Sequence, residues 1–500
     1  MAVGIVSYGA YVPRARVGLA ALAGGARREG GPERAVAWHD EDCVTMAVAA
    51  GGNCLRGFDR ESLDGLFFAS TTHPYQEKQS AALIAAALDL RRDVRTLDVS
   101  GTLRAGCDAL RAALDAVAAG TARRVLVVAS DCRLGAPGSA LERNFGDGAA
   151  ALLVGGENTV AELRGHYAFA DEIVNVWRGG GERFVHAWEE RFVLQEGTAP
   201  GIAEAVRGLL QKLGAGQGAQ VRAGSAQGVA GGADPAQGAA SGFDPAQSDA
   251  ALRVALAAPD ARSHAQAARK LGAAAESLVD PLFGRLGNAG AAFAPLLLVS
   301  ALERAAPGER ILLAGYGDGG CAMGFEATEL AAKLEARRGV DWHLERRRAA
   351  DYQRYRRARE LEIPEYEAGA SPGLSATVHF RERDSDIGFK AQKCRACGAL
   401  QFPPQRICES CFAKDDFELR RISDRTGRLV TWTLDYFYPT PEPPTAVGVV
   451  DIEGARVHMQ LVNLAAEDLR SGLPLDFHFR CMHRVGGRPN YYWKAAPAGE

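Results

Sequence analysis

The sequence has few of the features that mark membrane, nucleic-acid-binding or secreted proteins. Aromatic residues make up only 7% of the 500 positions, the net charge at pH 7 is -3, and the ten cysteines do not form the dense pattern of a disulfide framework. The longest apolar runs, such as PLLLVSAL and ILLAG, fall well short of the roughly 20 residues that span a bilayer. The opening residues also lack the basic and apolar regions of a signal peptide. We therefore expect a cytoplasmic chain, with neither a membrane nor a nucleic acid as its partner.

Four of the cysteines are clustered near the C-terminus. Cys394 with Cys397, and Cys408 with Cys411, form two CxxC pairs separated by ten residues. Each pair can place two thiolates on one side of a tight turn, and two such turns complete a tetrahedron of soft ligands that suits Zn²⁺. Four protein ligands leave no open position for a substrate. The spacing therefore predicts a structural zinc site rather than a catalytic one.

The rest of the chain divides by composition. Up to about residue 330, β-rich runs such as RVLVVAS alternate with Ala/Leu-rich helical runs such as AGCDALRAALDAVAAG, which predicts a layered α/β domain. Residues 213–249 are rich in Gly, Ala, Gln and Ser and are expected to form a flexible surface insertion. The arginine-rich stretch 326–363 favours a solvated helical connector over a phosphate or nucleic-acid contact.

Short strands with Gly-marked turns follow the cysteine cluster. GRLVTWTLDYFY, TAVGVVDIEG, RVHMQLVN and LDFHFRCM alternate in polarity, and this pattern predicts a small β-barrel. Some barrels of this size bind nucleic acid, but the interleaved basic and aromatic residues that support such binding are lacking here.

Several segments carry a resemblance to a known family. Residues 130–155, KLG at 270, residues 285–295 and ILLAGYGDGG at 311–320 resemble the thiolase superfamily, closest to hydroxymethylglutaryl-CoA synthase and ketoacyl synthase III. The segment from about 385 to 490 resembles the zinc-ribbon/OB-fold proteins that accompany thiolases. The resemblance implies a homodimeric enzyme of CoA thioesters that makes or breaks carbon–carbon bonds, with a possible thiolase or hydratase partner.

The fold class that this resemblance implies is α/β, with a five-layered thiolase fold (αβαβα), a C-terminal rubredoxin-like zinc ribbon and a small OB-type barrel. The expected domains are a thiolase-like domain over 1–330, a helical connector over 331–384, the zinc ribbon over 385–415 and the OB barrel over 416–495.

The catalytic positions that the resemblance implies are largely substituted. The family's nucleophilic cysteine aligns with Leu103, its acid/base glutamate with Thr71 and its histidine with Ala257, whereas the asparagine of the GN turn is retained as Asn288. A leucine cannot be acylated, and Cys107, one helical turn further on, is expected to be a buried core residue.

These substitutions favour a reaction without a covalent acyl-enzyme. The first prediction is aldol or retro-aldol chemistry on a 3-hydroxyacyl-CoA, with the Leu103 backbone N–H as oxyanion donor and Asn288 as a positioning residue. Asp318, His73 and Tyr75 are candidate acid/base residues, although the sequence favours a turn-supporting role for Asp318 and surface or packing roles for His73 and Tyr75. The alternatives are a non-catalytic scaffold that docks a thiolase or hydratase, or a hydroxymethylglutaryl-CoA synthase-like acyltransferase. In the acyltransferase, Cys321 is an unusual candidate nucleophile.

Overall fold

The computed structural model covers most of the chain. It describes residues 2–22, 30–171, 173, 175–179, 181–187, 190–215, 252–334, 337–361, 382–438, 440, 442–485 and 488–499. The insertion predicted over 213–249 lies almost entirely outside the described residues.

The described residues up to 361, called the synthase-like domain below, alternate strands and helices, as the sequence predicts up to about residue 330. Its strands are β1 Gly4–Tyr11, β2 Ala15–Gly18, β3 Glu33–Ala35, β4 Gly65–Ala69, β5 Arg95–Val99, β6 Arg124–Asp131, β7 Gly148–Gly155, β8 Ala161–Ala168, β9 Val176–Trp177, β10 His186–Ala187, β11 Leu252–Ala257, β12 Arg310–Tyr316, β13 Gly320–Ala327 and β14 Arg348–Ala350. Its helices are α1 Leu19–Leu22, α2 Cys43–Cys54, α3 Ser80–Ala87, α4 Ala105–Ala118, α5 Ala140–Asn144, α6 Glu190–Phe192, α7 Ala199–Ala215, α8 Ala261–Leu271, α9 Phe293–Leu302, α10 Val340–Glu345 and α11 Tyr352–Ala358.

The strands of this part build two β layers. Nine of them are hydrogen-bonded in the order β11-β12-β13-β8-β1-β7-β6-β4-β5. Helices α4 and α9 share one apolar core with strands from both halves of this series, whereas α2 and α3 pack on one outer face and α7 and α8 on the other. The resulting order is helix, sheet, helix, sheet, helix, so the predicted five-layered fold is confirmed.

The central helices α4 and α9 approach each other closely at their N-terminal ends. A Cβ on Gly106 would lie 2.2 Å from the carbonyl oxygen of Ala291, which only a glycine avoids. Helix α4 buries Cys107, Leu110 and Leu114 at spacings of three and four, so its apolar face fixes its position against the sheets. This packing places the start of α4 beside the turn that leads into α9.

The connector is not a single helix. Residues of β14 pair in parallel with β2, so a strand separates α10 from α11. The three residues of β14 are too few to show the alternation of apolar and polar residues that predicts a strand. The sequence on both sides of them is charged and helical.

The C-terminal modules have the predicted architecture. Strands β15 Lys390–Cys394, β16 Leu400–Gln401 and β17 Phe417–Arg421 form the small sheet of the ribbon. The closed barrel follows the order β18-β19-β20-β22-β21, with β18 Gly427–Asp435, β19 Thr445–Ile452, β20 Ala455–Leu461, β21 Pro474–Val485 and β22 Arg488–Pro497. Within the described parts of the chain, no helix is both long enough and apolar enough to cross a membrane.

The barrel packs directly on the synthase-like domain. Residues of β21 contact α2, and the apolar cores of the barrel and of the α2–α3 layer are continuous. The Tyr491 hydroxyl donates to Asp42 Oδ2 at 2.7 Å, and the Lys494 ammonium donates to Asp40 Oδ2 at 3.1 Å. Buried polar contacts therefore accompany the apolar contact between the two parts.

His343 makes the stability of this region dependent on pH. Its ring lies buried against Tyr11 and 2.9 Å from the carbonyl oxygen of Ala10, and burial lowers the pKa of His343 from 6.5 to about 3. The unfolded chain takes up this proton below pH 6.5, whereas the folded chain stays neutral, so stability falls as the pH drops from about 6.5 towards 3.

We expect His343→Gln to remove up to about 1.4 kcal/mol per pH unit from the slope of the unfolding free energy between pH 6 and pH 4. Denaturant titrations at several pH values measure this slope. The matched control is His458→Gln, the same substitution at a histidine that is exposed on the barrel. An unchanged slope in the His343 variant would contradict the assignment of this pH dependence to His343.

Candidate functional site

Four segments meet at a narrow cleft in the synthase-like domain. They are the start of α4, the end of β11, the 287–293 turn before and into α9, and the β12–β13 hairpin. The cleft has a cavity volume of about 20 Å³ and is lined by Leu103, Arg104, Cys107, Asn175, Ala257, Ala258, Pro259, Asn288, Gly290, Phe293, Ala294, Gly315, Tyr316 and Cys321. Three of the positions that the sequence aligns with the family site, Leu103, Ala257 and Asn288, are thus brought together.

Leu103 lies in the turn immediately before α4. The hairpin backbone crosses this turn closely, because a Cβ on Gly317 would lie 3.1 Å from Leu103 Cβ and 2.9 Å from Arg104 N. The Thr102 hydroxyl accepts from Arg104 N at 3.2 Å and donates to the carbonyl of Gly317 at 3.1 Å. Among the described residues, the N–H of Leu103 has no hydrogen-bond acceptor. This backbone donor, on a residue that lines the cleft, is therefore unpaired within the described part of the chain.

Asn288 holds the cleft together through its amide. Its Oδ1 accepts from Arg133 at 2.8 Å and from Gly290 N at 2.9 Å, while its Nδ2 donates to the carbonyls of Ala258 at 3.1 Å and Pro259 at 3.3 Å. Both ends of the side chain are thus engaged with the protein. These contacts fix the 287–293 turn against the end of β11.

Two thiols lie side by side at the floor of the cleft. Cys107 is on α4 and Cys321 is the second residue of β13, and both are buried. Hydrogen bonding to Cys321, followed by burial, raises the pKa of the Cys107 thiol well above its ordinary value. This shift disfavours the thiolate form of Cys107, as expected for a core residue.

The remaining predicted acid/base residues do not line the cleft. Asp318 is exposed at the tip of the β12–β13 hairpin with a φ of 49°, and its carbonyl accepts from Asp171 N at 3.1 Å. His73 Nδ1 lies 3.3 Å from the Ser80 hydroxyl and 3.8 Å from Asp98 Oδ2.

Tyr75, the other predicted acid/base residue of this loop, lies on its far side. Its ring packs against the α2–α3 core, with Lys78 Nζ 4.9 Å from the ring centroid. The loop that carries His73 and Tyr75 therefore turns away from the cleft towards the start of α3.

Sequence reasoning missed two buried charged residues beside the cleft. Asp131 ends β6 with no exposed surface, and Arg133 follows two residues later. Burial lowers the pKa of Arg133 to about 10, and its guanidinium lies 4.0 Å from the ring centroid of Phe145. Both residues are within the 130–155 segment, where the sequence shows only two opposite charges directly after an apolar strand.

The four cysteines of the ribbon form a compact cluster. Their sulfur atoms all lie within 4.8 Å of one another, and the Cys394–Cys411 and Cys397–Cys408 sulfurs are 3.6 Å apart. A tetrahedral zinc–thiolate site with bonds of about 2.3 Å requires sulfurs about 3.8 Å apart, so the donors fit the metal. The described residues contain no other group of this kind.

Comparison with known proteins agrees with this architecture. Residues 384–418 match the family model of the ChsH2 rubredoxin-like zinc ribbon domain. The chain is 30% identical over 376 residues to a hydroxymethylglutaryl-CoA synthase of Caldivirga maquilingensis, covering 72% of this chain and 98% of the relative. It is 29% identical over 371 residues to the corresponding enzyme of Pyrococcus horikoshii, covering 72% of this chain and 97% of that one.

Solved structures share the fold of the synthase-like domain. The structure of MvaS in complex with 3-hydroxy-3-methylglutaryl coenzyme A matches with a TM-score of 0.57 and 22% identity, over 73% of this chain and 92% of that chain. The 3-oxoacyl-(acyl carrier protein) synthase III, FabH, of Pseudomonas aeruginosa matches with a TM-score of 0.53 and 19% identity, over 66% and 98%. The chain belongs to the hydroxymethylglutaryl-CoA synthase family, and it carries a zinc ribbon and a β-barrel as additional modules.

Proposed function

We propose that this chain forms carbon–carbon bonds between acyl-CoA thioesters, as an acyltransferase of the hydroxymethylglutaryl-CoA synthase type. The observation that carries the proposal is the family relationship, which extends over 98% of the Caldivirga maquilingensis relative. It favours the acyltransferase alternative over the aldol chemistry that the sequence analysis predicts first. The scaffold alternative, the homodimer and a thiolase or hydratase partner remain predictions.

The cleft offers support for binding a thioester. The N–H of Leu103 has no acceptor among the described residues, so it can donate to a thioester oxygen that gains negative charge in the transition state. Leu103, Phe293 and Ala257 contribute apolar walls to the cleft. The cavity of about 20 Å³ has room for about one water-sized group and none for a long acyl chain.

Acyl transfer requires a thiol, and Cys321 is the better of the two candidates in the cleft. The raised pKa of Cys107 keeps that thiol protonated, and its position on α4 places it below the turn. In the proposed step, the sulfur of Cys321 attacks the thioester carbonyl and the bond from the acyl carbon to the CoA sulfur breaks. CoA leaves as the thiol, with the proton that Cys321 loses.

Trapping with labelled acetyl-CoA tests this step. We expect an acetyl adduct on Cys321 in the full-length chain, found by peptide mass spectrometry after acid quenching. The adduct is lost in Cys321→Ser and kept in Cys107→Ser, the matched control at the neighbouring thiol. A chain that carries no acetyl adduct on any cysteine would contradict acyl transfer.

Aldol chemistry without an acyl-enzyme is the second candidate. The specific observation in its favour is the set of substituted positions, since Leu103 stands at the start of α4 and Ala257 at the end of β11. Release of an aldehyde or ketone from a 3-hydroxyacyl-CoA, with no adduct on cysteine, would favour this candidate over acyl transfer.

A further inference from the structure

We propose that a second cavity, between α2 and the barrel, binds the phosphate group of a small phosphorylated metabolite. This cavity, called the junction cavity below, has a volume of about 680 Å³, within the range of roughly 300–1,000 Å³ that is usual for small-molecule sites. Its walls come from the C-terminal half of α2, the 56–60 loop, the 421–426 turn between β17 and β18, and one face of β21. The proposal does not depend on the reaction at the cleft.

The junction cavity lies at the far end of α2 from the cleft. Cys43, the first residue of α2, donates through its Sγ to the carbonyl of Thr72 at 3.1 Å, in the loop that follows β4. Asn53, in the last turn of the helix, lines the junction cavity, and the 12 residues of α2 separate its two ends by about 18 Å. Among the described residues, none lines both the junction cavity and the cleft. A ligand in this cavity is therefore away from the reacting groups of the cleft.

Positive charge is in excess in the junction cavity. The charged side chains that line it are five arginines and two aspartates, namely Arg56, Arg60, Arg338, Arg421, Arg425, Asp424 and Asp476. Asp424 is shared by Arg60 at 2.7 Å and Arg421 at 3.2 Å, whereas Asp476 pairs with Arg338 alone, at 3.3 Å. Arg425 lies 3.4 Å from an exposed glutamate that does not line the cavity, Glu453. Even with this glutamate counted, three carboxylates face five guanidinium groups, which leaves two positive charges unbalanced.

Two side chains that line the junction cavity make no hydrogen bond within the described part of the chain. Arg56 follows the end of α2, and its exposed guanidinium has no acceptor there. His478 lies on β21 between Phe477 and Phe479, which both belong to the barrel core, so the alternation of the strand turns its ring outwards. Its Nε2 is buried and has no partner. Donors from both walls of the cavity are therefore available to a ligand.

The cationic groups of the cavity repel one another. Burial lowers the pKa of Arg421 to about 10, and the charge of Arg60 lowers it as well. Burial also lowers the pKa of Arg338, with a further contribution from the nearby Arg56. A phosphate group carries up to about two negative charges and accepts parallel pairs of hydrogen bonds from guanidinium groups, so its binding would relieve this repulsion. A carboxylate supplies only one charge, and the excess of two positive charges therefore favours phosphate.

Isothermal titration of the full-length chain with pyrophosphate, inorganic phosphate and acetate at constant ionic strength tests the proposal. We expect pyrophosphate to bind most tightly, inorganic phosphate about tenfold more weakly, and acetate more weakly still. Arg56→Gln is expected to weaken the binding of pyrophosphate about tenfold, because it removes a charged donor that no carboxylate of the chain neutralises. Arg262→Gln is the matched control, since Arg262 is an exposed arginine on α8, in the other outer layer, and its replacement leaves the affinity unchanged.

A titration with ADP identifies the source of the phosphate group. Binding of ADP more tightly than pyrophosphate would assign the cavity to a nucleotide, and the reverse order would assign it to a free phosphate anion. Pyrophosphate that binds no more tightly than acetate, or that keeps its full affinity in Arg56→Gln, would overturn the proposal. An equal loss in Arg56→Gln and Arg262→Gln would also overturn it, since it would indicate attraction to surface charge in general. Acyl-CoA plays no part in these titrations, so their failure leaves the proposed function unaffected.

Discussion

Cys408→Ser will reduce the zinc bound to the purified chain from about one ion to almost none. The four ribbon sulfurs lie within 4.8 Å of one another. Serine in place of Cys408 removes one of the four thiolate ligands, and the three remaining cysteines do not complete a tetrahedral site. The ribbon sheet has only three short strands, so we expect the metal to supply most of its folding free energy, on the order of 10 kcal/mol. Metal analysis of dialysed protein measures the loss, and limited proteolysis detects the unfolded ribbon.

The matched control is a cysteine outside the cluster. Cys54 is fully buried on α2, and Cys54→Ser is expected to lower stability slightly while leaving the zinc content unchanged. A normal zinc content in Cys408→Ser would exclude this residue from the site. Loss of zinc in both variants would indicate general misfolding instead.

The clustering of the four ribbon cysteines was predictable because its geometry is local. Each CxxC turn brings its own two thiolates together, and only one hairpin is needed to join the two turns. The overall fold could likewise be predicted, since the segments at 130–155 and 285–320 that carry the family resemblance form β7, α9 and the β12–β13 hairpin. The connector could not, because β14 forms only by pairing with β2, more than 300 residues earlier in the chain.

The candidate site was predictable only where it depends on backbone position. Leu103, Ala257 and Asn288, which the resemblance assigns to the family's catalytic positions, line one cleft because each stands at the end of a helix or strand or in the turn beside one. The direction of the loop with His73 and Tyr75 depends on where α3 begins. Asp98 accepts from Ser80 N at 2.7 Å and Ala81 N at 2.8 Å, which anchors that start away from the cleft.

The hydrogen bonds of Asp131, which accepts from Thr71 N and Ala291 N, are not revealed by any local pattern. Its donors come from the end of β4 and from the turn before α9, about 60 and 160 residues away in the sequence. A single aspartate after an apolar strand gives no indication of which groups will surround it. Function was therefore harder to predict than fold, because the polar contacts of the cleft are set by tertiary packing.

Asp40→Asn will lower the free energy of unfolding by about 3–5 kcal/mol. Asp40 lies at the contact between the synthase-like domain and the barrel, 3.1 Å from Lys494 Nζ and 3.8 Å from Arg480 Nε, and all three side chains are at most 5% exposed. Burial alone would raise the pKa of Asp40, but Lys494, His39 and Arg480 hold it below its ordinary value. The substitution leaves the Lys494 ammonium buried without a countercharge, whereas Arg480 keeps Glu41 at 3.3 Å.

A second ion pair between the same two parts of the chain supplies the control. Arg60 and Asp424 lie 2.7 Å apart, but the Asp424 side chain is 50% exposed. Because water screens this pair, Asp424→Asn is expected to cost less than about 1 kcal/mol. Denaturant unfolding followed by intrinsic fluorescence compares the two variants.

The shape of the unfolding curve carries further information. If the buried ion pairs and the continuous apolar core couple the barrel to the synthase-like domain, Asp40→Asn will shift a single transition to lower denaturant. A separate early transition of the barrel would show that the two parts unfold independently. Burial, rather than the number of ion pairs, is expected to determine the strength of this contact. A loss of unfolding free energy in Asp40→Asn that is no larger than the loss in Asp424→Asn would contradict this expectation.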